Sequence, residues 1–392
     1  MTRQIQLAAL TVAAAAVLAA CGKKEEPAKK AEAAPPPAVA VIKIGHVAPL
    51  TGGIAHLGKD NETGARLAVE EINAAGGIKI GDKTFNLELV PEDDKADPKE
   101  GTVAAQKLVD AGVAAVVGHL NSGTSIPASK IYADANVTQI SPSATNPKLT
   151  EQGFKTTFRV VANDNQQGAV LANYAAETLK AKTIAIVDDR TAYGQGLADV
   201  VERVAKEKGL KVVAREFTND KATDFNAILT KIRGTKPDVI MYGGMDATAG
   251  PMAKQMKQLG IKSVLLAGDG VCSPEFIKLA GDAATVLHCS MAGEAVEKLA
   301  KGAEFVDKYK KRFNADVQVY SPYSYDAVYV ITDAIKRAGS ADRAAITAAM
   351  PATNYPGVTG TIAFDDKGDI KGGAISMFQV KGDKLEYVST VR

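Results

Sequence analysis

The residues best suited to chemistry follow the buried apolar runs. They are the loops His119-Leu120-Asn121-Ser122-Gly123-Thr124-Ser125, Ser141-Pro142-Ser143-Ala144-Thr145-Asn146-Pro147, Asp188-Asp189-Arg190-Thr191-Ala192-Tyr193-Gly194, Gly243-Gly244-Met245-Asp246 and Gly268-Asp269-Gly270. Small hydroxyl residues and exposed backbone N–H groups suit a carboxylate, above all near a helix N-terminus. The acid Asp269, on another loop, suits an ammonium. Together they describe a site for a zwitterion. Taken singly, each loop reads as well as turn and N-cap chemistry.

Catalytic constellations are absent. No GxSxG, HExxH, Walker A or CxxC occurs. His46, His56, His119 and His288 lack metal-ligand spacing and read as packed or surface residues; no cofactor and no metal is expected. Asp188-Asp189 and Asp365-Asp366 are adjacent carboxylates, which point apart in a strand and are solvated in a turn. The run Lys308, Lys310, Lys311 and Arg312 reads as the wet face of a helix with Phe305, Val306 and Tyr309 inward.

Alternating strands and helices must position these loops. Strands are predicted over 41–47, 85–91, 113–118, 137–142, 183–187, 211–217, 238–242 and 263–267. Helices are predicted over 61–75, 98–112, 127–136, 166–181, 194–209, 225–234, 247–260 and 274–280. The rhythm implies parallel sheets covered by helices, an α/β fold, with ligands beyond the C-terminal strand ends. The chain of 392 residues has too many such units for one tidy sheet, so two α/β lobes are expected.

The N-terminus is an address. Arg3 precedes an apolar stretch from Leu7 to Ala20, too short to span a bilayer but suited to a signal peptide. It ends in Leu18-Ala19-Ala20-Cys21-Gly22, which resembles the bacterial lipobox, so residues 1–20 are expected to be cleaved and Cys21 to be acylated. The plainer alternative is an ordinary secretory signal with Cys21 there by chance. Residues 21–40 then form an acylated Cys and a Lys/Glu/Ala/Pro linker with too little apolar bulk to fold. Removing Arg3, four linker Lys and three linker Glu from 47 basic and 45 acidic residues leaves 42 of each in the body. That balance argues against a nucleic-acid partner.

Export places the body where cysteines cross-link. If the strands before Cys272 and Cys289 are neighbours, the two can meet beside Asp269, and a Cys272–Cys289 disulfide is expected. Two buried free thiols are the alternative.

The segments IGHVAPLTG, TGARLAVEEINAAGGI, VVGHLNSGTSIPAS, ISPSATNP, AYGQGLA, MYGGMDATAG, SPYSYDAV and FDDKGD resemble the Leu/Ile/Val-binding proteins of bacterial ATP-driven transporters, type I periplasmic solute-binding proteins. The resemblance runs from Val41 to the C-terminus. It implies two doubly wound parallel-sheet lobes joined by a three-strand hinge, the first about 41–163 plus 293–372, the second about 164–292 plus 373–392.

The implied ligand set is Ser122, Ser143, Ala144, Thr145, Tyr193, Asp269, Leu57, Met245 and Tyr320. Ser122 and Thr145 would take a ligand carboxylate, the main chain at Ser143 and the Asp269 acid its ammonium. Tyr193 would close over it, and Leu57 and Tyr320 would lie along its side chain. Asp269 replaces a common Glu, and Leu57 and Met245 replace common aromatics. The disulfide of some relatives is missing, because Ala96 and Asn121 stand at its positions.

The implied function is capture of amino acids, branched-chain aliphatic ones foremost, and delivery to membrane permease subunits of an ABC importer. The implied protein is a lipid-anchored monomer on the periplasmic or outer side of the envelope. The alternatives are a receptor for an amide or aromatic acid on the same scaffold and, further off, an enzyme or a regulator's sensor domain.

Overall fold

A computed structural model describes residues 40–392; Cys21, the signal stretch and most of the linker lie outside the described residues. Two large sheets organise the chain. The first is built by β1 (Ala40–Ala48), α1 (Ala55–Ala74), β2 (Ile78–Ile80), β3 (Lys83–Asp93), α2 (Pro98–Asp110), β4 (Ala115–Gly118), α3 (Ser122–Asp134), β5 (Thr138–Ser141), α4 (Lys148–Glu151) and β6 (Thr157–Arg159).

The second is built by α5 (Asp164–Asn173), β7 (Thr183–Asp188), α6 (Ala192–Glu207), β8 (Lys211–Phe217), α7 (Asn226–Thr235), β9 (Val239–Gly243), α8 (Asp246–Gln258), β10 (Val264–Ala267), α9 (Pro274–Ala280) and β11 (Leu287–Met291). Then α10 (Gly302–Phe313), α11 (Ser321–Ala338), α12 (Arg343–Ala349) and the small ribbon β12 (Tyr355–Pro356) and β13 (Thr361–Ile362) precede β14 (Ile375–Lys381) and β15 (Lys384–Val391).

The strand orders are β2-β3-β1-β4-β5-β6 and β15-β14-β11-β10-β9-β7-β8. The central pairs are parallel. One edge of each sheet is not: β2 runs antiparallel to β3, and β14 and β15 add antiparallel strands to the second sheet. The expected parallel α/β sheets are thus present, with antiparallel strands added at one edge of each. Mixed sheets of this kind commonly gain antiparallel strands at an edge.

Both faces of each sheet are covered. In the first, Ile44, Val117 and Ile140 share one apolar core with Ala68 of α1 and Ile331 of α11, while Val47 and Val116 share another with Leu108 of α2 and Tyr132 of α3. In the second, Ile240 and Leu265 pack with Met252 and Phe276, and Ile186 and Met241 with Leu197 and Val201. Unbroken apolar strands are what two-sided covering requires. We call each sheet with its helices a lobe. The helices α10 to α12 return to the first lobe, where α11 packs along α1. The chain therefore passes between lobes after β6, after β11 and before β14. Two of these passages meet where Ala162 N–H donates to Ala292 O at 3.0 Å.

Local chemistry sets the helix starts. Asp97, Asn163, Thr191, Ser273 and Asp342 cap α2, α5, α6, α9 and α12 with side-chain oxygens on free N–H groups. Gly339, at φ 59°, ends α11 in the left-handed region. Several expected bounds are corrected. Helix α1 begins at Ala55 rather than near 61, because polar His56, Lys59, Asp60 and Asn61 hide its early apolar spacing. Helix α3 begins at Ser122; a proline reads as a helix start, but Pro127 lies inside this one. Helix α5 ends at Asn173 and widens into a π turn over Tyr174–Thr178.

Candidate functional site

The C-terminal ends of the two sheets meet around a small cavity of about 10 Å³, lined by Leu120, Asn121, Ser122, Ser143, Tyr193, Met245, Asp269 and Tyr320. That is about the space of one water molecule, so the two walls must part to admit an organic ligand. Six expected residues thus line this one cavity: Ser122, Ser143, Tyr193, Met245, Asp269 and Tyr320. Leu57, Ala144 and Thr145 lie behind it. Leu57 is fully buried against Leu120, Val319 and Tyr320. The Ala144 N–H donates to Ser141 Oγ at 2.9 Å, and its carbonyl accepts from Arg159. Leu120 and Asn121 join the wall without having been singled out.

The first-lobe wall is stiff. Ser122 opens α3 straight after β4, and its Oγ accepts from Asn146 N–H at 3.2 Å. The Ser143 hydroxyl donates to Leu120 O and accepts from Asn61 Nδ2, both at 3.2 Å. Beneath the 144–147 loop lies the fully buried Arg159. Its Nη1 donates to Ala144 O and Asn146 O at 2.9 Å, its Nη2 to Thr150 Oγ1 at 2.8 Å, and its Nε to Asp369 Oδ1 at 2.5 Å. Asp369 Oδ2 in turn accepts from Asn163 Nδ2 at 3.1 Å, which ties the loop to the first passage between lobes.

The second-lobe wall centres on Asp269, just beyond β10. Its Oδ1 accepts from Gln167 Nε2 at 2.8 Å and from the Tyr193 hydroxyl at 2.9 Å, and its Oδ2 from the Tyr320 hydroxyl at 2.7 Å. An ionised carboxylate has about four acceptor positions, so room for one more donor remains. Burial pushes the Asp269 acid above its usual range, while these three donors pull it back. Burial and then the Asp269 charge hold both phenols well above 10, so they stay neutral donors.

Tyr320 is itself fixed. The buried Asp60 carboxylate accepts the backbone N–H groups of Gln318, Val319, Tyr320 and Ser321 at 2.7–3.0 Å. That places a negative charge at the N-terminus of α11, where the helix dipole favours it.

A second carboxyl sits beside the first. Asp164 Oδ1 accepts from the same Gln167 amide at 3.1 Å. Its Oδ2 and the nearby Thr145 Oγ1 find no hydrogen-bond partner among the described residues. Burial, reinforced by the Asp269 charge, raises Asp164 to about 7.

Near this wall Cys272 and Cys289 are joined by a disulfide, with Cα atoms 5.4 Å apart. The pairing of β10 with β11 brings them together: Ala267 stands opposite Cys289 in the parallel register. Asn146 Nδ2 crosses between lobes to Ala192 O at 2.6 Å. A larger but open groove meets the start of β6, α12 and the 364–371 turn, with mixed charges along it.

The histidines do not gather. His46 is buried, which lowers it to about 3. His119 lies between Asp94 Oδ2 at 2.9 Å and the Tyr132 hydroxyl at 3.0 Å, fully buried. His288 meets Tyr174 at 2.9 Å. Among the described residues no cluster of three His, Cys, Asp or Glu could hold a metal, and no helix is long and apolar enough to cross a membrane.

Gln167, Asp60, Asp164 and Arg159 were not anticipated. Arg159 left a trace, a lone cation inside the apolar run 157–162. Asp60 left a weaker one, an acid where α1 turns inward. Nothing local distinguishes Gln167 from Gln166.

Known proteins share the sequence and fold of this chain. A family model described as "periplasmic binding protein" matches residues 41–384. The leucine-, isoleucine-, valine-, threonine- and alanine-binding protein of Pseudomonas aeruginosa is 35% identical over 342 residues, covering 87% of this chain and 90% of that protein. Leu/Ile/Val-binding protein homolog 1 of Brucella abortus is 37% identical over 335 residues, covering 85% and 89%. Among solved structures, the branched-chain amino acid transporter substrate-binding protein of Streptococcus pneumoniae, in complex with isoleucine, aligns with a TM-score of 0.81 at 31% identity, covering 90% of this chain and 99% of that one.

Proposed function

Because the chain belongs to the periplasmic binding protein family, we propose that it is the extracytoplasmic solute-binding lipoprotein of an ABC importer, closing its lobes on an amino acid and handing it to membrane permease subunits. It is a binding protein, not an enzyme. The observation that carries the reading is the opposition of Asp269 on one lobe to Ser122 and Ser143 on the other across one small cavity.

In this reading Asp269 takes the ligand ammonium on its remaining acceptor position. The α3 start at Ser122 and the 143–145 loop take the carboxylate, with Thr145 Oγ1 turning to it. Met245, Leu120 and Tyr320 border the side chain, and Leu57 backs them. Branched-chain aliphatic amino acids fit a border this apolar, and the relatives named above are described as binding them. The lobes comprise 41–163 plus 293–372 and 164–292 plus 373–392, supported by the three passages of the chain. The protein works as a monomer, since one chain supplies both walls.

The anchor follows from the lipobox-like stretch ending at Cys21, which lies outside the described residues. Cys21→Ala should release the protein from membranes in cell fractionation; protein still bound to membranes would contradict it.

A neutral amide is the second reading, favoured by one feature: Asp269 already accepts three donors, and burial lowers its tendency to ionise. A thermal-shift screen of amino acids against their amides separates the two. Ligand at about 100 times its dissociation constant adds about 2.7 kcal/mol of stability. Shifts with amides alone would overturn the amino-acid reading.

A further inference from the structure

Outside the cavity, two pairs of charged groups span the lobes, Arg392–Glu294 and His56–Asp246, and the second lies at the cleft. His56, in the first turn of α1, meets Asp246, which opens α8, with Nε2 and Oδ2 2.7 Å apart. Their neighbours in sequence, Leu57 and Met245, belong to the apolar packing around the cavity mouth. The Asp246 side chain is fully buried and that of His56 is 22% exposed.

Asp246 is committed to its own lobe. Its backbone N–H donates to Gly270 O at 2.9 Å, beside Asp269, and its Oδ2 accepts from Ser273 Oγ. Its Oδ1 finds no partner among the described residues. His56 is the only basic side chain ion-paired with it among those residues. A buried carboxylate of this kind is costly without a cation, and here the cation belongs to the other lobe. Parting the lobes therefore breaks this pair.

From this juxtaposition we infer that His56 is a positioning residue for capture: protonated and paired with Asp246, it holds the lobes shut over the cavity, so that binding is tighter in mildly acidic than in alkaline medium. Two other contacts cross the cleft from donors that do not titrate in that range. Asn146 is neutral, and Tyr320 keeps its proton.

The groups facing His56 are Asp246 on α8, and Glu275 and Lys278 on α9. Lys278 is itself paired with Glu275 at 2.9 Å. Burial disfavours the charged ring, but the hydrogen bond and charge of Asp246 outweigh burial and leave His56 raised above its ordinary value. A raised pKa in the closed form means that the contribution to closure is full below the ordinary value near 6.5. It fades as pH rises through the raised value.

The test compares purified wild type with His56→Gln, which keeps a polar side chain but cannot take a charge. In calorimetry with L-leucine, the wild-type dissociation constant should rise about three- to tenfold more between pH 6 and pH 9 than that of His56→Gln. Asp164 titrates in the same window, so the difference between proteins decides, not the wild-type slope alone. Equal slopes overturn the proposal.

In small-angle scattering without ligand, wild type should be more compact at pH 6 than at pH 9, and His56→Gln should not change. Equal behaviour of the two proteins overturns it as well. The calorimetric arm rests on the amino-acid reading; the scattering arm does not. Compaction lost in His56→Gln with no leucine binding at any pH would sink that reading and leave the latch standing.

Discussion

Tyr320 and Asp269 meet across the cavity: the phenol at the start of α11 donates to Asp269 Oδ2 at 2.7 Å, although the residues lie on different lobes. Both ends are braced. Asp60 holds the Tyr320 backbone, and Gln167 holds both oxygen and N–H groups of the Asp269 loop, accepting from Asp269 N–H at 3.2 Å. The acid is therefore pre-positioned, so little further ordering is needed when a ligand donor arrives.

Arg159 supports the opposite wall, and its removal should be felt first as stability. Arg159→Met leaves two loop carbonyls and Asp369 without their cation, and breaking a buried pair costs about 3–5 kcal/mol. Urea unfolding should show that loss. Arg159→Lys should recover only part, because an ammonium cannot fork to four acceptors. Full recovery with Lys would mean that charge alone matters there.

The Cys272–Cys289 link closes a separation of 17 residues, worth about 3 kcal/mol in the chain-entropy model. Reduction or Cys289→Ser should lower unfolding stability by roughly that amount. Mass measurement after alkylation without reductant should find no modified cysteine at these two positions in exported protein. Two alkylated thiols would rule the link out.

Asp164 predicts a pH dependence with a definite sign. Its folded value of about 7 lies above that of an unfolded Asp, so the folded state holds the extra proton between about pH 4 and 7. Its contribution to stability is then present at low pH and falls as pH rises through that window. The total change is on the order of 4 kcal/mol at most. Denaturation at pH 5 and pH 8 should show Asp164→Asn losing less stability than wild type. A slope identical to wild type would mean that Asp164 is ionised in the fold.

Much of this was legible in the chain because buried parallel strands are unbroken apolar runs, as in Ala115–Gly118 and Val239–Gly243. Loops after such strands point to the cleft by topology, which brought out Asp269 and the loops holding Ser122, Ser143 and Tyr193; the family resemblance singled out those three residues. The disulfide followed from strand adjacency. What stayed hidden depends on distant partners. Asp60 matters because α11 packs along α1, and Gln167 because α5 packs against β11, the neighbour of β10. Neither relation leaves a local pattern. Thr145 shows the reverse: its loop was legible, but its hydroxyl lies behind the wall, beside Asp164.

The most direct test of the account is calorimetry of wild type and Asp269→Ala with L-leucine, L-isoleucine and L-valine. Wild type should bind at least one of them at one site per chain, without turnover. Asp269→Ala should lose about 2–5 kcal/mol of that binding, the cost of leaving a buried charge unpaired, while remaining folded by circular dichroism. Unchanged affinity in Asp269→Ala would contradict the site, and no binding of any amino acid by wild type would contradict the function.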